Sequence, residues 1–189
     1  MVTLRYGKDY RMDVDVKPNG KEEKKLVYVG PLFKYTDDAD THKKQGRVLS
    51  GLGIIAVALF FLGFSFYSNL SRIWFTSVPY ACNLLSLYYL IVACFYFVPF
   101  KEPLNREQKE KGLEGFKKCS LASFILGVFS LVGGIVAIFI YLQGFVKQDI
   151  FFLIITLLFT VTALFIFFFC RRITVYEVEN PTAKEWESK

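Results

Sequence analysis

A single histidine, four cysteines and one short line of polar residues are the groups with which this 189-residue chain could do chemistry. His42 falls in a charged segment, so a histidine-based metal site or a Ser/His dyad has no place among the apolar segments. Cys82, Cys94, Cys119 and Cys170 lie within or beside apolar segments with no Cys-X-X-Cys pair, the usage of reduced or inert thiols rather than of a disulfide framework. Cys119 and Cys170 stand at segment ends where acylation is chemically possible, with small buried filler as the competing reading. Gly51-Leu52-Gly53 lacks the preceding strand and the remaining glycines of a dinucleotide fingerprint, and no phosphate-binding loop occurs. These absences predict no enzyme, no cofactor and no metal.

Two constellations remain. Cys82, Ser86, Tyr89, Ala93 and Tyr96 recur at helical spacing with Asn83 beside them, so Asn83, Ser86 and Tyr89 could line a polar path. Ordinary hydrogen bonding between helices, at about 0.6 kcal/mol per bond, explains the same residues. The other constellation is a stripe of small residues, Ser120, Ser123, Gly127, Ser130, Gly134 and Ala137, three or four positions apart. On a helix they share one face, where a second backbone can approach closely. Gly46, Ser50, Gly53 and Ala56 form a shorter stripe, and we expect the two to pack together.

The elements that must carry these residues are four apolar blocks, at about 48–67, 78–98, 120–142 and 150–170. Each is long enough to cross a hydrocarbon layer of roughly 30 Å as a helix. None contains Asp, Glu, Lys, Arg or His, so the groups that proton relays and ion-coupled pumps normally use are missing. The last block alone gains roughly 5–10 kcal/mol from its Leu, Ile, Val and Phe side chains on insertion. With 53% hydrophobic and 18% aromatic residues, a soluble domain of this length could not cover four such helices with polar surface. The fold class predicted is an all-α membrane protein, a four-transmembrane-helix bundle.

Residues 1–47 form a polar tail, from which no secretory signal peptide is expected. Met12, Val14 and Val16 alternate with Asp13 and Asp15, Pro18-Asn19-Gly20 supplies turn chemistry, and Leu26–Val29 is a second β-prone run. This reads as a β-hairpin with Lys21–Lys25 in its loop. An isolated hairpin is marginal in water, and Thr174–Val178 in the 171–189 tail could supply a third strand. A disordered tail is the competing reading. Between the second and third blocks, Phe100–Lys118 is charged, with an N-cap pattern at Asn105 and Gln108 and i,i+4 pairs Glu107–Lys111 and Glu114–Lys118. Its charges are expected to be a solvated surface. Asp149 is expected to cap the fourth helix.

All of the 23 lysines and arginines except Arg72 and Lys147 lie in the two tails and the middle connector. By the positive-inside bias both termini are then cytosolic, in what we take to be the plasma membrane. The net charge of +6 follows from that asymmetry and does not predict a nucleic-acid partner. The expected partners are the lipid bilayer and either a protein partner or further copies of the chain. The function expected is that of a non-catalytic accessory, scaffold or regulatory subunit. The alternative is a small homo-oligomeric transporter or channel built on the polar second block.

Overall fold

The computed structural model describes residues 4–16, 22–36, 39–65, 68–97, 103–141 and 147–183. Four helices are long and apolar enough to cross a membrane: α1 (Ala39–Ser65), α2 (Trp74–Phe97), α4 (Gly115–Tyr141) and α5 (Lys147–Arg172). α1 begins well before the apolar block it carries, because Ala39–Arg47 has no proline and a single glycine, Gly46, and continues the helix as a polar first stretch. The end of the expected polar tail, Ala39–Arg47, is therefore helical. Phe66, Tyr67, Val98 and Leu142, the last residues of three expected spans, lie outside the described residues.

The helices close into a ring in which α1 packs on α2, α2 on α4, α4 on α5 and α5 on α1. α1 and α4 are therefore diagonal, and the expected pairing of their small-residue stripes does not occur. Gly53 faces α2 instead: a Cβ placed there would lie 3.3 Å from Cys94 Sγ and 3.4 Å from Leu90 Cδ2. The α4 stripe meets α2 and α5, because the connector between α2 and α4 and the short loop before α5 make these its antiparallel neighbours.

Both tails and the α2–α4 connector lie at one end, called here the tail end; the α1–α2 and α4–α5 connections form the short-loop end. At the tail end β1 (Tyr10–Val16) and β2 (Glu22–Tyr28) form an antiparallel hairpin. Lys24 and Lys25 belong to β2 rather than to the turn, opposite Val14 and Asp13. Lys25 then stands across from Asp13, an opposite-charge pair.

Thr174–Val178 does not extend the hairpin. β5 (Val175–Val178) pairs with β3 (Leu32–Tyr35), whose other edge takes β4 (Leu104–Asn105) from the connector. The correction has a simple cause. Leu32–Tyr35 alternates Phe33 and Tyr35 into the core, so it is the strand with an inner face to bury. The connector then runs through α3 (Arg106–Gln108) and a π-helical turn, Lys109–Glu114, directly into α4.

Candidate functional site

Inside the bundle all six residues of the α4 stripe are buried: Ser120, Ser123, Gly127, Ser130, Gly134 and Ala137. Three of them explain why small side chains stand there. The Ser130 hydroxyl donates to the Thr76 carbonyl of α2 at 3.1 Å, and a Cβ at Gly134 would reach Leu153 Cδ2 of α5 at 2.7 Å. A Cβ at Gly127 would lie closer still to the Thr160 side chain. Gly133, which the spacing argument passed over, packs against α2 as well. Pro79 has no N–H to offer the Phe75 carbonyl, and a Cβ at Gly133 would come within 2.7 Å of that oxygen. The signal was Pro79 inside a helix, but nothing in the sequence says which glycine it faces.

On α1, Gly46, Gly53 and Ala56 are buried and Ser50 is half-buried. The polar face proposed for the second block divides. Asn83 and Ser86 are buried, with Asn83 Nδ2 donating back to the Pro79 carbonyl at 3.3 Å, whereas Tyr89 is 53% exposed on the outside of the helix. Asn83, Ser86 and Tyr89 are thus not brought onto one surface. The inward face of α2 is centred between Asn83 and Leu90, and Cys82 and Tyr89 stand at its flank. Toward the short-loop end the interior is filled by aromatic rings: Phe60 stacks on Tyr80 at 4.9 Å, and Tyr80 meets Phe152 at 5.2 Å.

Asp149 is fully buried in the first turn of α5, inside the helix rather than at the position just before it, and it reaches across to the α1–α2 connection. Its Oδ1 accepts from the Ser68 hydroxyl at 2.7 Å and from the Asn69 N–H at 2.9 Å. This carboxylate ties the start of α5 to the α1–α2 connection.

The tail end holds the densest polar assembly. The i,i+4 pairs read from the sequence are present, with Lys111 Nζ donating to Glu107 Oε1 at 2.6 Å and Lys118 Nζ to Glu114 Oε2 at 3.4 Å. The connector charges are not simply solvated, however. The buried Tyr6 hydroxyl donates to Glu110 Oε2 at 2.9 Å, and Arg106 Nε donates to Glu110 Oε1 at 2.9 Å. Lys111 lies over the rings of Tyr6 and Tyr96, and Lys109 sits 3.9 Å above the ring of Phe33. The π-helical turn makes this possible by seating Leu113 and Phe116 in the core while turning Glu110 and Lys111 toward the N-terminal segment.

Tyr28 links every strand-bearing segment. Its hydroxyl donates to the Pro31 carbonyl at 2.8 Å and accepts from the Arg106 N–H at 3.0 Å, while Asn180 Nδ2 donates to the Tyr28 and Gly30 carbonyls. Burial pushes its phenol above the ordinary value, partly opposed by the Arg106 N–H. Gly30 is required beside it, because a Cβ there would lie 2.7 Å from the Tyr28 hydroxyl oxygen. Beyond Tyr28 the hairpin exposes Met12, Val14 and Leu26 on one face, with Met12 directly opposite Leu26.

The fold and this assembly define a class: a ring of four helices of membrane-crossing length, capped at one end by a small β-rich unit built from both tails and the middle connector. Comparison with known protein families, curated proteins and solved structures finds no match. Among the described residues no group of three or more His, Cys, Asp or Glu could hold a metal ion.

Proposed function

We propose that this chain is a multi-pass membrane protein with both termini cytosolic, acting as a non-catalytic accessory or scaffold subunit that docks a protein partner through its cap. The observation that carries the reading is the exposed apolar face of the hairpin. It presents Met12, Val14 and Leu26 outward on a sheet of only two strands, while the rest of the cap is tied down through Tyr6, Tyr28 and Asn180. A two-stranded sheet with an open apolar face gains most by joining another surface. Membrane residence is supported by the outward faces of the helices, where Ile54, Phe64, Phe95 and Phe139 are each 70% exposed or more. An apolar belt of that kind is costly in water and stable in lipid.

Native mass spectrometry of the protein extracted gently at its natural expression level tests this reading. The wild type should carry a stoichiometric foreign protein, and Met12→Asp/Leu26→Asp should lose it while keeping the helical bundle. One observation favours the alternative of a small homo-oligomeric transporter or channel: Asn83 Oδ1 is buried and has no donor among the described residues. A defined homo-oligomer without a foreign protein, together with substrate flux abolished by Asn83→Leu, would replace the subunit reading with that one.

A further inference from the structure

The least closely packed of the four helix contacts is that between α1 and α2, and its seam holds two cavities. The first, about 410 Å³, opens at the short-loop end and is lined by Ser65, Ser71, Ser77, Tyr80 and Phe152 among others. The second, about 590 Å³, is a groove on the outer surface lined by Val57, Leu84, Tyr88 and Ile91. Ala81 lines both, so the two adjoin. From Val78 to Ile91 the seam follows about 20 Å of helix, some two thirds of the roughly 30 Å hydrocarbon layer.

The polarity of the seam follows the bilayer. Four of its hydroxyls, those of Ser65, Ser71, Ser77 and Tyr80, lie at the short-loop end, at the depth of an interface, while the groove is aliphatic and aromatic with one described hydroxyl, that of Tyr88. Three hydroxyl protons are already committed to backbone carbonyls: Ser65 to Phe61 at 2.8 Å, Ser71 to Ser68 at 2.7 Å and Tyr80 to Phe60 at 2.7 Å. A hydroxyl has one proton and two lone pairs, so these groups face an occupant as acceptors. Ser77 adds one more hydroxyl, and among the described residues no charged group lines either cavity. A rim with three committed acceptors and no cation disfavours a phosphate and suits a neutral head that donates hydroxyl protons. The shape adds a second restriction. The two cavities adjoin along about 20 Å of α2 and each reaches a buried side chain, Tyr80 and Phe152 in the first and Leu87 in the groove, a path whose length suits an extended acyl chain.

We propose that the α1–α2 seam binds a neutral acylglycerol, its free hydroxyls among Ser65, Ser71 and Tyr80 and its acyl chain along Val57, Leu84, Tyr88 and Ile91. The inference rests on the membrane reading above and is independent of the partner. The test uses the full-length protein in phosphatidylcholine nanodiscs with a monoacylglycerol carrying a diazirine and an alkyne in its chain. Irradiation should place adducts on α1 and α2 within 57–65 and 77–91, and excess unlabelled monoacylglycerol should compete them away. Ala81→Trp, at an exposed position, should abolish the adducts by closing the junction of the two cavities, and Leu85→Trp in the groove provides a second block if the first variant fails to fold. Ser65→Ala or Ser71→Ala should each weaken competition by about fivefold, the loss of one hydrogen bond.

Equal labelling by the matching lysophosphatidylcholine probe would overturn the proposed head, and preferential labelling by a sterol probe would overturn the proposed chain. Adducts spread evenly onto Phe139 and Phe165, or a second protein's helix crosslinked to a photoreactive group at Leu85, would remove the site altogether. Failure of the protein to enter nanodiscs would instead sink the membrane reading, which separates the two failures.

Discussion

At the scale of single residues, the side chains that matter most are those placed where another backbone needs room or a proton. Tyr28 shows both sides of this. It donates to one segment and accepts from another, and its burial holds the phenol above the ordinary value of 10.0. Because its pKa in the folded cap is raised, the neutral phenol is the stabilising form. That stability is fully present below the ordinary tyrosine value and is lost as pH rises through the higher folded one. The cap of the wild type should therefore loosen at strongly alkaline pH. Tyr28→Phe should cost about 1 kcal/mol at neutral pH and remove Tyr28's contribution to the alkaline loss, as read by hydrogen exchange of the β3 and β5 amides. Tyr28 was legible in the sequence only as the end of a β-prone run, since its partners Pro31, Arg106 and Asn180 are up to 152 positions away.

Among the elements, the connector between α2 and α4 departs most from its sequence pattern. Its capping residues and i,i+4 pairs are local features, set by backbone spacing, and they form: the Asn105 N–H donates to Gln108 Oε1 at 3.0 Å, and Glu107 pairs with Lys111. Its long-range role is not local. Charges that periodicity assigns to water instead hold Tyr6 and the N-terminal 3-10 turn, Leu4–Asp9, against the bundle. Glu110→Ala removes the acceptor of both Tyr6 and Arg106. It should speed tryptic cleavage after Lys8 and Arg11 by about fivefold, the equivalent of about 1 kcal/mol of local opening, without changing cleavage within the helical bundle. Unchanged cleavage would show that the N-terminal segment is held by Tyr28 and the strands alone.

For the whole molecule, the arrangement of the helices in the ring has a direct chemical check. Gly53→Cys should form a disulfide with the native Cys94 under mild oxidation, because the introduced Cβ would start 3.3 Å from that sulfur. The same variant combined with Ser123→Cys on a Cys94→Ala background should give no crosslink, since α1 and α4 are diagonal. The opposite result would restore the stripe-to-stripe pairing that the spacings suggest. What the sequence by itself determined is everything that depends on neighbours along the chain: four apolar helices of spanning length, the hairpin pattern, the burial of the α4 stripe and the local charge pairs. Hydrophobicity and periodicity act within a turn or two, so they can be read residue by residue. Only the tertiary structure decided which faces meet. A small-residue stripe states that some backbone comes close without naming it, and a strand with a free edge states that it can pair without choosing between β1 and β3. Those choices fell to the connections that set the ring and to Phe33 and Tyr35, which needed a core and drew both β4 and β5 to the strand that carries them.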